Sequence, residues 1–358
     1  MGKTYNTQTI YKSSQTQGTT LKEYNLWICV LIVLFISFVL NYLILKNADY
    51  LDKVFDTRNK KHAIHKYPVP RIGGLAIFLA LFFGILCLKN RHIFFIYLLS
   101  TSIFLVGLVE DLIKDISPKI RLSLIFVLSL IVVFSLDLRV SDLGFFILPD
   151  YIVPFFTAFA IAGFTSALNI VDGLNGLASG IAIIFLLFLG LTFWEQGILH
   201  LAYFCFLIIS AILGFFIFNF PFGKIFLGDG GAYFLGFICA VLSVKLLNSN
   251  PNISPWFPFL LGAYPVVEVL FSAFRRKIKG RHPFSPDKLH FHTLVYYRVT
   301  RSNPKASFII LSFIFLFSLI AFLLKEHTTY LMVEFSVFCM LYWYIYRTLT
   351  ASARLGRR

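Results

Sequence analysis

The chain has 358 residues, of which 58% are hydrophobic and only 14% charged, with a mean hydropathy of +0.80. A soluble domain of this length carries far more charge, so the composition excludes a water-soluble globular protein. The net charge of +15 has the sign of a nucleic-acid binder, but most of it is concentrated in connections between apolar runs, which excludes that class too.

Residues 1–25 are rich in Ser, Thr, Gln and Asn and are expected to be a disordered tail. Eleven apolar runs follow, at 26–46, 72–88, 92–109, 120–136, 151–168, 176–193, 200–218, 231–247, 256–274, 305–324 and 329–346. Each is close to the ~20 residues that cross a bilayer as a helix. The expected fold is therefore all-α and polytopic, a single transmembrane domain over 26–346 with a basic tail over 347–358. The first run lacks a small-residue cleavage site and is expected to be an anchor, not a removed leader. Cys29, Cys87, Cys205, Cys239 and Cys339 all fall inside apolar runs without metal or disulfide spacing.

Orientation follows from Lys and Arg. The connections 46–71, 110–121, 169–175, 219–230 and 275–305, with the C-terminal tail, hold 24 of the 32 basic residues. That side is expected to be cytoplasmic, with the N-terminus outside and the C-terminus inside. Positive charge there attracts anionic lipid heads and anionic cytosolic substrates.

The chemically unusual segments fall on the same side. Before the second run comes His65-Lys66-Tyr67-Pro68-Val69-Pro70-Arg71-Ile72-Gly73-Gly74, and after the third comes Glu110-Asp111-Leu112, with Lys114, Lys119 and Arg121 close behind. Asn169-Ile170-Val171-Asp172-Gly173-Leu174-Asn175-Gly176 joins two spans. So does the segment from Asn219 to Gly231, which contains Phe226-Leu227-Gly228-Asp229-Gly230-Gly231. The longest loop, Arg275 to Lys305, contains Arg281-His282 and His290-Phe291-His292. Ionisable groups beside membrane spans are costly unless solvated, paired or bound to an ion. Carboxylates, amides, imidazoles, basic groups and glycines together form the inventory for Mg²⁺ with a diphosphate. Mg²⁺ takes carboxylate and phosphate oxygens, basic side chains neutralise phosphate, and glycine lets backbone N–H groups approach it.

This set of segments resembles the polyprenyl-phosphate N-acetylhexosamine-1-phosphate transferases (glycosyltransferase family 4), over roughly residues 25–325. The resemblance implies a ten-helix core, Mg²⁺ (with Mn²⁺ substituting), and transfer of sugar phosphate from a UDP-N-acetylhexosamine to undecaprenyl phosphate with release of UMP. It also implies a homodimer, and a place in the bacterial inner membrane with the site on the cytoplasmic face. Residue by residue, it implies that Asp229 binds the metal and that Phe226 stacks on uracil. Lys66, seven positions before the Gly-Gly pair, and Arg281 are expected near substrate. Asn169, Asn175 and Asn219 are also expected to line the substrate site. Glu110, Asp111, Asp172, His290 and His292 are expected to take part in the chemistry.

Three departures from the family pattern stand out. Glu110 replaces the first of two adjacent aspartates, Asn175 replaces the second aspartate of an Asp-Gly-x-Asp-Gly pattern, and Thr293 follows His290-Phe291-His292. The absence of three consecutive histidines points to the branch that initiates O-antigen and common-antigen synthesis, with GlcNAc as the expected sugar. The peptidoglycan enzyme is the alternative within the family. A secondary transporter is the alternative outside it, but would show mid-membrane acids, broken helices and repeat symmetry, whereas here the acids cluster at cytoplasmic loop boundaries and no repeat is visible. Glu268, inside the ninth run, is open to either a structural or a sugar-facing role.

Overall fold

In the computed structural model, the described residues are 7–48, 69–113, 116–282 and 289–355. They form an all-α bundle. Nine helices among them are long and apolar enough to cross a membrane. In chain order the elements are α1 (Thr7–Lys46), α2 (Gly73–Leu88), α3 (Arg91–Ile113), α4 (Pro118–Leu136), α5 (Val153–Ile170), α6 (Leu177–Glu195), α7 (Leu199–Asn219) and α8 (Gly228–Ser249). They continue with α9 (Trp256–Leu261), α10 (Ala263–Ile278), α11 (Phe291–Val295), a π-helical turn (Tyr296–Thr300), α12 (Asn303–Leu323) and α13 (Thr328–Leu355).

All eleven expected runs are helical, with two qualifications. The second, α2, has only 16 residues. The ninth is not one helix but two, α9 and α10, meeting at Gly262. Pro265, the third residue of α10, has no N–H to continue the hydrogen-bond ladder. The bare Cα of Gly262 admits the ring of Phe164, which lies 2.4 Å from where a β-carbon would stand.

Other boundaries also move. Helix α1 begins at Thr7, inside the stretch expected to be disordered, because extending an existing helix costs far less than nucleating one. By the same logic α13 continues to Leu355 through the expected tail, with the Arg347 guanidinium over the Trp343 ring. The Arg275–Lys305 connection is not a loop throughout: α10 reaches Ile278, and α11 with the π-helical turn occupies 291–300.

Helix α8 is the axis of the bundle, with 89% of its most apolar window buried. It packs against α2, α3, α5 and α6, while α1 and α7 pack together alongside. Outward faces stay apolar, as at Phe35, Phe134, Phe159 and Leu316, all more than half exposed. Such a surface suits lipid, not water.

Two sets of connections mark the two ends of the bundle. At one end Trp256 donates to Leu143 O, Ser254 N to Lys325 O, and Lys325 pairs with Glu195 at 2.9 Å. The other end gathers the start of α2, the end of α3 and the start of α4. The α5–α6 and α7–α8 turns and the start of α12 meet there too.

Candidate active site

The site is seated on main chain. Phe226 N donates to Pro70 O, Gly73 N to Phe226 O and Gly74 N to Leu227 O, each at 2.9 Å. This short ladder joins the entry of α2 to the entry of α8. Helices can come this close only where side chains are missing. A β-carbon on Gly74 would stand 2.3 Å from Gly231 Cα, and one on Gly107 would stand 2.5 Å from Asp229 O. Gly228 turns the chain into α8 with φ +78°, a left-handed conformation natural to glycine. Asp229 therefore falls in the first turn of α8, where the N-terminal end of the helix dipole favours a negative charge.

Around Asp229 the other elements supply partners. Asn169, at the end of α5, donates from Nδ2 to Asp229 Oδ1 at 3.0 Å. Arg71 lies 3.6 Å from Oδ1 and Arg121 3.8 Å from Oδ2. Arg121 is delivered by local sequence: Ser117 caps α4, Pro118 occupies its first turn, and Arg121 follows one turn in. Arg121 also binds Glu110 Oε1 at 3.0 Å. Asp111 is buried, and its Oδ2 accepts from Gly230 N at 3.0 Å.

Asp172 sits in the tight turn after α5, where Asp172 N donates to Asn169 O and Gly173 N to Val171 O. By exposed area it is half-buried. Removal from bulk water raises its carboxyl from the usual 3.8 to about 7; Arg71 opposes that rise, and Asp229 and Asp111 add to it.

The histidines close the site from the α10–α11 side. His292 is buried and its Nε2 lies 2.7 Å from where a β-carbon on Gly173 would stand, so that glycine leaves room for the ring. Burial lowers His292 to about 4, with Glu268 acting in the opposite direction and His290 in the same one. The rings of His290 and His292 stack, 5.5 Å apart and 5° from parallel.

Two of the expected substrate residues are occupied in holding the turns. Asn219 is buried; its Oδ1 accepts from Gly176 N and its Nδ2 donates to Ile225 O at 2.6 Å. Asn175 is buried too, with its N donating to Asn303 Oδ1 at 2.7 Å and its Nδ2 to Pro221 O at 3.3 Å. Phe226 is partly exposed beside the ladder. Arg281 stands exposed beyond the end of α10, after Gly280. Lys66 lies outside the described residues, as does the 283–288 segment.

The sequence reading quotes three further residues of this region without making any of them a site residue. Arg71 and Arg121 enter it only within the general basic inventory for a diphosphate, because a basic residue at a helix end also marks orientation; Glu268 is left open between two roles. Glu268 proves to be the carboxylate that receives His290 Nδ1, at 2.7 Å.

The donor set suits a hard divalent cation. Glu110, Asp111, Asp172 and Asp229 offer oxygens only, and four carboxylates face two guanidinium groups. Among the described residues no three His, Cys, Asp or Glu side chains form a cage of their own. Mg²⁺ ordinarily takes only one or two carboxylates and completes its shell with phosphate oxygens and water.

Residues 93–247 match the family described as glycosyl transferase family 4. An undecaprenyl-phosphate alpha-N-acetylglucosaminyl 1-phosphate transferase of Thermotoga maritima is 31% identical over 80% of this chain and 86% of its own length. The Salmonella typhi protein of that name is 30% identical over 64% of this chain and 66% of its own. A probable undecaprenyl-phosphate N-acetylglucosaminyl 1-phosphate transferase of Bacillus subtilis is 28% identical over 84% and 87%. The match to the Thermotoga protein extends along most of both chains, and the chain belongs to glycosyl transferase family 4.

Proposed function

We propose that this protein transfers N-acetylglucosamine-1-phosphate from UDP-GlcNAc to undecaprenyl phosphate, releasing UMP and initiating a cell-surface polysaccharide. The observation that carries this reading is the convergence of Asp111, Asp172 and Asp229 with Arg71, Arg121 and Asn169 at one end of an apolar bundle. Its similarity to enzymes named for that reaction supports the choice of substrates. The reading includes eleven crossings in a bacterial inner membrane, with the site in the cytoplasm, supported by the 24 of 32 basic residues on that side.

The reaction is one in-line displacement. An oxygen of the lipid phosphate forms a bond to the sugar-bearing phosphorus, the bond from that phosphorus to the bridging oxygen breaks, and UMP leaves with the bridging oxygen. A phosphate monoester has its second pKa near ~6, so the acceptor is largely dianionic at neutral pH and needs little base. Positioning and charge neutralisation do most of the work.

Asp229 would hold Mg²⁺, and the ion supplies charge neutralisation at the phosphates. Arg71 and Arg121, at 3.6 and 3.8 Å from Asp229, are placed to turn to diphosphate oxygens. Glu110 sets the direction of Arg121. Asp111, fixed by Gly230 N, orders the nucleophile. His290 and His292 face the phosphates from the far wall, and Phe226 stacks on uracil. Asn175 and Asn219 act by holding the two turns.

The test is the purified protein in nanodiscs with a polyprenyl phosphate, Mg²⁺ and a panel of UDP-N-acetylhexosamines. UMP release with formation of a lipid-linked sugar, abolished by EDTA, is expected with UDP-GlcNAc. Turnover only of the UDP-muramoyl-pentapeptide would move the protein to the peptidoglycan reaction. No UMP from any donor would reject the proposal.

A further inference from the structure

Glu268 is fully buried on α10 and its two oxygens accept four hydrogen bonds. Oε1 receives His290 Nδ1 at 2.7 Å and Ser272 Oγ at 3.0 Å. Oε2 receives the Tyr342 hydroxyl at 2.7 Å and Phe291 N at 3.0 Å. A carboxylate has about four lone-pair positions, so this one is saturated and has no capacity left for a metal or a sugar.

Two consequences follow for the histidine. A carboxylate only accepts, so His290 must carry its proton on Nδ1, which leaves Nε2 as the ring nitrogen available to substrate. The ring is also fixed in direction, because the next backbone N–H, that of Phe291, is bound to the same carboxylate.

The donors come from different parts of the chain. Ser272 is one turn along α10, His290 and Phe291 open α11, and Tyr342 belongs to α13. The Tyr342 ring also stacks on Phe291, 4.9 Å between centroids. One turn further along α13, the Tyr346 hydroxyl donates to Leu289 O at 3.2 Å, and Arg275 donates both to Leu289 O at 2.6 Å and to that hydroxyl. Residues 289–291 are thus clasped between α10 and the last helix.

We propose that Glu268 is the positioning residue of His290 and that α13, through Tyr342, is a working part of the transfer site as well as a membrane helix. What His290 does rests on the function proposed above; how it is held does not.

The experiment has two arms, both on the full chain in nanodiscs. In the first, ¹⁵N-histidine NMR of the wild type should show a strongly deshielded Nδ1–H proton on His290, assigned by its loss in His290→Ala. Glu268→Gln should move it well upfield, and Tyr342→Phe, which keeps the ring and its packing, should move it slightly. In the second, Glu268→Gln should lower kcat about 10-fold or more with KM for the UDP-sugar within about twofold, the size of effect seen when an orienting partner is lost. In a His290→Ala background the same change should cost less than about twofold, because residues acting as a unit are not additive. A structural carboxylate would instead multiply its effect in both backgrounds.

An unmoved resonance in Glu268→Gln, or multiplicative losses in the double variant, would overturn the proposal. A wild type that binds its Nδ1 proton as described but turns over no UDP-sugar would reject the functional reading and leave the positioning intact.

Discussion

Asn169 Nδ2 donates to Asp229 Oδ1 at 3.0 Å across sixty residues of sequence. This bond joins the turn after α5 to the first turn of α8, so the two glycine-rich segments form one surface. Asp229 is thereby held by Asn169 independently of its ion pairs with Arg71 and Arg121.

Asp229→Asn preserves the shape of the side chain and removes its charge. Transferase activity should fall at least ~100-fold, in line with losing the group proposed to hold a metal worth several kcal/mol. The measurement is initial-rate UMP release alongside thermal unfolding. Near-wild-type turnover in a folded variant would take Asp229 out of the site.

Gly74→Ala places a β-carbon 2.3 Å from Gly231 Cα and 2.9 Å from Leu227 O, both backbone atoms that yield only by moving α8. Forcing extra volume into a packed contact costs about 1–3 kcal/mol, so Tm in detergent should drop and activity with it. Gly163→Ala is the control: nothing lies within 4 Å of its β-position, and its Tm should hold or rise.

Acid stability should carry two opposed slopes in the substrate-free protein. His292 falls from 6.5 to about 4 on folding, so between those values the unfolded chain binds more protons and stability rises with pH. Asp172 rises from 3.8 to about 7, so over that window the folded chain binds more protons and stability falls as pH increases. Relative to wild type, His292→Gln should make Tm fall more steeply with pH from 4 to 6.5, and Asp172→Asn should make it fall less steeply. Parallel Tm profiles for wild type and both variants would contradict the assignment.

Phe226 offers a partly exposed ring on a backbone pinned by Pro70 and Gly73. Phe226→Leu should raise KM for the UDP-sugar several-fold with a smaller change in kcat, since the proposed stacking on uracil would contribute about 1 kcal/mol. An unchanged KM would make Phe226 a packing residue only.

The helices were legible because a run of apolar residues reports bilayer thickness almost directly. Their ends were less so. Gly228 to Gly230 read as loop, yet the ladder to Pro70, Gly73 and Gly74 supports them as the first turn of α8. The break at Gly262 carries no change in hydropathy to announce it. Asp229 and Asn169 stood out because acid and amide flanked by glycine at a membrane boundary are rare. The partnership of Glu268 with Tyr342 spans 74 residues, and no spacing rule connects a buried acid to a tyrosine on a helix that far away.

The main-chain ladder between residues 70–74 and 226–227 also sets an order of assembly. The seat of the site is shared by the second helix and the eighth, so it cannot exist until the chain through Gly231 has emerged and inserted. Any nascent form ending earlier has its first helices in lipid and lacks half of this seat. The seat is thereby coupled to the insertion of α8, and a chain stalled before that helix is expected to sit in the bilayer without it.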